Sequence, residues 1–85
     1  MINGIISFFN IYQEMNKDVI LIVGSNGQLG TVLTQKLRLI YGVYNVIASD
    51  LYEKTGFEDN FITLDATDFK AIEEIVLKKK VTQIY

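Results

Sequence analysis

Apolar residues fall along this chain in two alternating patterns, and their order predicts the architecture. Val19-Ile20-Leu21-Ile22-Val23 is an unbroken β-branched and leucine run, as expected of a strand buried on both faces of a parallel sheet. It stops at Gly24, and two more glycines follow at intervals of three, Gly27 and Gly30. Leu29, Val32, Leu33, Leu37 and Ile40 then recur at helical spacing, which predicts a helix with one apolar face, and Gly42 stands where that helix would stop. Residues 44–49, Tyr-Asn-Val-Ile-Ala-Ser, are again short and apolar and lead to Asp50. From Asp50 to Asn60 there are charges, a glycine and no steady period, the marks of a loop that turns at Gly56. Residues 61–64 predict a third strand. Asp65-Ala66-Thr67-Asp68 then offers N-cap side chains for a helix over roughly 69–79, with Phe69, Ile72, Ile75 and Val76 on one face and Lys78 to Lys80 closing it. Residues 81–85 begin a fourth strand.

Strands alternating with helices imply parallel pairing through right-handed crossovers, hence a doubly wound α/β sheet. The expected strand order is 3-2-1-4. Strand 4 is then an uncovered edge, so the sheet is expected to be incomplete, the first half only of a domain that a longer protein would finish. Residues 17–85 would form that part. Residues 1–16 stand apart: no Lys or Arg precedes Ile5-Ile6-Ser7-Phe8-Phe9, and no small-residue cleavage site follows. That is the wrong pattern for an export signal, and the run is too short to span a bilayer. A cytoplasmic protein without a membrane partner is expected. Met15 sits immediately before Asn16-Lys17-Asp18 and the first strand, which suggests an N-terminal extension outside the core fold. The competing reading is an amphipathic helix on Ile5, Phe8, Phe9 and Tyr12.

Composition narrows the chemistry. The 85 residues include neither cysteine nor histidine, so disulfides and the usual zinc, iron or copper ligands are missing. Carboxylates alone could serve magnesium or calcium, but no Asp-x-Asn-x-Asp-Gly loop is present, and no metal site is assigned. A formal net charge of −2 and a pI near 4.9 give no basic face for nucleic acid. Lys78-Lys79-Lys80 reads as a solvated helix end, where cations suit the macrodipole, before it reads as a phosphate contact.

The glycines raise the central question. At a strand-to-helix turn the helix presents unpaired N–H groups and partial positive charge, which together suit a pyrophosphate. Gly24 would make the tight turn, Gly27 would let phosphates reach the main chain, and Gly30 would let the helix pack close. The donors would be the backbone amides around Gly27, Gln28 and Leu29. Glycines at a strand end also make plain turns, and the motif alone is a weak signal. Its context is stronger: the glycines follow a strand pattern and open a helix pattern, and Asp50 lies 20 residues past Gly30. That is the place of a carboxylate that hydrogen-bonds the adenosine ribose hydroxyls; the bland alternative is a solvated acid at a strand end. A carboxylate there repels a 2′-phosphate, which favours NAD over NADP. No arginine follows Asp50 directly, and Lys54 is the one cation near enough in sequence to bear on the choice.

The spacing Gly24-x-x-Gly27-x-x-Gly30 resembles the extended short-chain dehydrogenase/reductase family, which includes NAD-dependent sugar-nucleotide epimerases and dehydratases. Within it, residues 27–50, GQLGTVLTQKLRLIYGVYNVIASD, are most similar to the L-threonine 3-dehydrogenases of short-chain type. The resemblance runs from about Lys17 to Tyr85 and implies a Rossmann-like fold. It also implies a contact between the adenine amino group and Asp65 of Leu-Asp-Ala-Thr-Asp, with the Ala66 backbone beside it; helix capping is the plainer role for this stretch. Relatives usually dimerise through later helices. Their catalysis uses a Tyr-x-x-x-Lys pair, which this chain lacks: Tyr12, Tyr41, Tyr44 and Tyr52 are followed four residues on by Asn16, Asn45, Ala48 and Gly56. No catalytic residue is assigned. The implied function is the NAD-binding N-terminal portion of an oxidoreductase, most like L-threonine 3-dehydrogenase. The alternatives are part of a sugar-nucleotide epimerase or dehydratase, and a non-catalytic dinucleotide-binding module.

Overall fold

The computed structural model describes residues 18–85. Both readings of residues 1–16, extension and amphipathic helix, lie outside the described residues. Strand β1 (Ile20–Val23) leads into helix α1 (Gln28–Tyr41) and a short 3-10 turn, Val43–Asn45. Strand β2 (Val46–Asp50) follows, then a second 3-10 turn, Glu58–Asn60, strand β3 (Phe61–Thr63), helix α2 (Phe69–Lys79) and strand β4 (Gln83–Ile84). The sheet order is β3-β2-β1-β4 with every pair parallel, the order the sequence pattern predicts.

The register explains why β1 is apolar without a break. Ile20 and Ile22 pack with Val46 and with Leu37 of α1, whereas Leu21 packs with Ile47, Leu64 and the Ile72 and Ile75 side chains of α2. The two helices thus cover opposite faces, and no residue of this strand's centre can be polar. Ile20, Leu21 and Ile22 are at most 1% exposed, and each such side chain contributes roughly 1.5–3 kcal/mol by leaving water. Thr34 and Ser49 are buried too, with their hydroxyls donating to Gly30 O at 2.7 Å and Ile22 O at 2.6 Å.

Two local readings differ from the sequence pattern. Residues 44 and 45 do not start β2, because Gly42, at φ +90°, redirects the chain and Asn45 Nδ2 donates back to Tyr41 O. In α1, Leu29, Val32 and Ile40 were expected on the packed face with Leu33 and Leu37, yet they are 81%, 49% and 66% exposed. The packed face is centred instead on Gly30, Thr34, Leu37 and Tyr41. Phe69 of α2 is likewise exposed.

The loop between β2 and β3 is tied down at both ends. Near its end, Arg38 at the close of α1 donates to Val46 O and Asn60 O, and its guanidinium lies over the Phe57 ring at 5.3 Å. Burial pushes the guanidinium pKa down, and the charge of Asp59 opposes that shift. Among the described residues no helix is long and apolar enough to cross a membrane.

Candidate functional site

The three glycines of the first turn have three different physical warrants. Gly24 has φ +82°, and a Cβ there would meet nothing within 4 Å, so its backbone angle alone asks for glycine. At Gly30 a Cβ would stand 2.2 Å from Gly24 O and 3.0 Å from Ser25 Cα, so the close approach of α1 to the turn asks for it. Gly27 differs from both. Its backbone is ordinary extended chain, φ −67° and ψ 169°, and a Cβ would meet only Gly24 O at an unstrained 3.8 Å. Among the described residues nothing requires a glycine at this position.

The turn hangs from the end of β2. Gly24 N–H and Ser25 N–H both donate to Ser49 O at 2.9 Å, and Asn26 N–H donates to Asp50 Oδ2 at 3.0 Å. Asp50 Oδ1 accepts from Leu51 N–H at 2.8 Å. The carboxylate is therefore oriented by two backbone amides, one on each oxygen, and stands beside the glycine turn. The first helical bond of α1 runs from Thr31 N–H to Gly27 O at 2.8 Å. Among the described residues no side chain caps the N-terminus of α1, and no acid lies in its first turn, whereas the α2 N-terminus is capped by Asp68. The α1 end thus keeps amide donors and partial positive charge free for an anion.

Val23, Gly24, Gly27, Gln28 and Leu29, with Tyr85 of the neighbouring chain end, line one cleft of about 390 Å³. The structure gathers the five turn residues singled out by sequence, Gly24, Gly27, Gln28, Leu29 and Gly30, around this cleft. Asp50 joins them through Asn26. Asp65 and Ala66 follow β3 on the same edge of the sheet, but no hydrogen bond links them to the turn among the described residues. Asp65 Oδ1 instead accepts from Thr67 N–H at 2.8 Å and Thr67 Oγ1 at 2.7 Å. The Thr67 hydroxyl, and then its N–H, hold the Asp65 carboxyl below the usual carboxylate range. Of the capping candidates, Asp68 is the cap, accepting from Ala71 N–H at 3.1 Å.

Two residues that the sequence did not single out complete the arrangement. Asn26 bonds Asp50 through its backbone and Tyr52 O through its side-chain amide. Thr31 Oγ1 donates to Ser25 O at 3.1 Å and accepts from Lys54 Nζ at 2.6 Å. An Asn within a glycine turn is a signal of side-chain ties to the backbone, and it was readable; the link from Thr31 to Lys54 spans 23 residues and was not. Among the described residues no group of three or more His, Cys, Asp or Glu stands together to hold a metal ion.

Comparison with known proteins gives this geometry a lineage. The chain is 38% identical over 77 residues to the L-threonine 3-dehydrogenase, mitochondrial, of Sus scrofa, covering 87% of this chain and 21% of that protein. Its homologues are L-threonine 3-dehydrogenases and an epimerase/dehydratase. A solved L-threonine dehydrogenase from Clostridium difficile superposes with a TM-score of 0.70 at 44% identity, over 79% of this chain and 22% of that one. An uncharacterized epimerase/dehydratase of Staphylococcus saprophyticus is 41% identical over 64 residues, 67% of this chain and 19% of that protein. No protein-family model matches the chain. The resemblance to threonine dehydrogenases of the epimerase/dehydratase type thus rests on sequence and on a shared Rossmann-like sheet. The chain spans about a fifth of the length of the L-threonine 3-dehydrogenase it matches.

Proposed function

We propose that this chain is the NAD-binding part of an oxidoreductase of the L-threonine 3-dehydrogenase kind. The observation that carries the proposal is Gly27. The fold leaves room there for a side chain, yet the position is glycine beside the uncapped end of a 14-residue helix. A ligand that must reach the backbone accounts for what the fold does not, and a pyrophosphate fits the donors available. In this proposal the amides around Gly27, Gln28 and Leu29 hold the pyrophosphate, and Gly24 and Gly30 shape the turn. Asp50 accepts from the ribose hydroxyls, and Asp65 and the Ala66 backbone meet the adenine.

When bound, NAD would supply a nicotinamide ring that takes up hydride from a substrate; the residues of this chain bind and orient it. The chain has no Tyr-x-x-x-Lys pair, so proton transfer is assigned to none of its residues. Oxidation of threonine, and pairing of the whole protein with a second copy, come from the family resemblance. The Staphylococcus saprophyticus relative favours a second reading, a part of an epimerase or dehydratase. A cytoplasmic location belongs to the proposal, and the Sus scrofa relative is mitochondrial by name.

The test is a titration of NAD into the full chain, followed by backbone amide shifts, for the wild type and for Gly27→Ala. Alanine at 27 should leave the fold as stable as before, within about 1 kcal/mol, and weaken NAD binding at least tenfold. Equal binding by the two folded proteins, or no shifts at residues 24–30 in the wild type, would overturn the proposal.

A further inference from the structure

Asparagine followed by glycine is a chemically labile pair, because glycine brings no Cβ to shield its amide nitrogen from the carboxamide beside it. The chain has this pair at Asn3-Gly4 and at Asn26-Gly27, whereas Asn45 and Asn60 precede Val46 and Phe61. Around Asn26-Gly27 the fold adds features that favour attack by the glycine nitrogen. Gly27 is exposed, and its N–H finds no acceptor among the described residues. The carbonyl of the same peptide bond, Asn26 O, accepts from Lys54 Nζ at 3.4 Å, and Gly27 is the N-cap of α1. A cation on that carbonyl and the positive end of a helix both favour loss of the amide proton. Asn26 Oδ1 accepts from Ser25 Oγ at 3.4 Å, a donor placed where negative charge gathers when the side-chain carbonyl is attacked. The opposing restraint is the bond from Asn26 Nδ2 to Tyr52 O, on an exposed loop residue, and exposed bonds of this kind open locally.

We propose that Asn26 is a self-modifying site, at which the Gly27 amide nitrogen attacks the Asn26 carboxamide and the residue becomes an acid. The new bond joins Gly27 N to Asn26 Cγ. The bond from Cγ to Nδ2 breaks, and Nδ2 leaves as ammonia, carrying off the proton that Gly27 N gives up. Water then opens the cyclic imide at either carbonyl, leaving an aspartyl residue or, with the main chain rerouted through the side chain, an isoaspartyl one. Nothing is oxidised or reduced; one water enters and one ammonia leaves. Either product puts a carboxylate where the amide stood. A carboxylate cannot donate to Tyr52 O, so the tie between turn and loop is lost, and a second negative charge stands next to Asp50. The modification itself does not depend on the ligand. Its consequence rests on the reading of the turn as a dinucleotide site: the added charge repels a pyrophosphate, so conversion ends binding. A bound pyrophosphate, in turn, takes up the Gly27 N–H and blocks the attack, so the site is protected while it is in use.

The experiment incubates the full chain in mildly alkaline buffer, with and without NAD, for as long as a free peptide of residues 22–31 takes to convert by half. Digests are then read by mass spectrometry, with aspartyl and isoaspartyl forms separated. The native chain should carry acid at position 26 and keep its amides at Asn45 and Asn60. Gly27→Ala should slow the conversion about tenfold, and NAD should slow it by a similar factor. Converted chain, parted from the rest by ion exchange, should bind NAD about tenfold more weakly. An amide that persists at position 26 in the native chain, or conversion as fast in Gly27→Ala, would overturn this inference and leave the NAD site standing. Conversion as fast with NAD as without it, or equal NAD binding by converted chain, would overturn the reading of Gly27 as a phosphate donor and leave the modification standing.

Discussion

Asp65 turns its carboxylate back on its own loop, where the Thr67 hydroxyl and N–H both donate to it. The folded pKa is lowered relative to an unfolded value of about 3.9. The sign follows from that: the carboxylate favours the fold above the unfolded value, and the contribution disappears as pH falls through the lowered folded value. Thr67→Val removes the larger of the two donors. It should move the Asp65 titration upward toward the ordinary carboxylate range, as a carboxyl NMR titration would read directly; an unmoved midpoint would show that the hydroxyl does not hold the charge. At this scale the sequence was legible where one residue has one job. The spacing found the structural roles of Gly24 and Gly30, a tight turn and a close approach, and it put Asp50 at the end of its strand. Asn26 was readable only as a residue whose side chain ties to the backbone, and Thr31 was not readable, because its role depends on Lys54 arriving from 23 residues away.

The two helices show what an end cap does. Helix α2 begins on Asp68, whose side chain accepts from Ala71 N–H, and ends on Lys80 in the left-handed conformation at φ 55° with two lysines in its last turn. Helix α1 begins on a glycine with no capping side chain. Asp68→Ala should therefore cost about 1 kcal/mol in urea denaturation, and a loss much below 0.5 kcal/mol would mean that Thr67 or water replaces the cap. The bounds of α2 were readable from the sequence, since cap, apolar period and terminal lysines agree. The packed face of α1 was not. Periodicity shows which residues share a stripe, but the close approach forced by Gly30 rolls the helix so that Thr34 faces the sheet. Leu29, Val32 and Ile40 are then left on its flank.

At the scale of the sheet, the strand order leaves β4 with a single neighbour among the described residues, β1. Pairing continues to Tyr85, which donates its N–H to Leu21 O at 3.0 Å and accepts from Val23 N–H at 2.9 Å. Ile84 and Tyr85 stay about half exposed beside this edge. An edge of this kind recruits other chains, so the chain should associate as its concentration rises. Sedimentation velocity would show this, and Ile84→Lys should suppress it; a monomer at every concentration would contradict the expectation. The sheet order itself was legible, because alternating strand and helix patterns admit few arrangements. The first turn of this sheet also carries a record that drift would write unevenly. A descendant released from its ligand but still needing to fold would hold Gly30, where any Cβ collides with Gly24 O, and would let Gly27 change. The two positions would run as separate clocks, one timing the loss of the fold and the other the loss of its use.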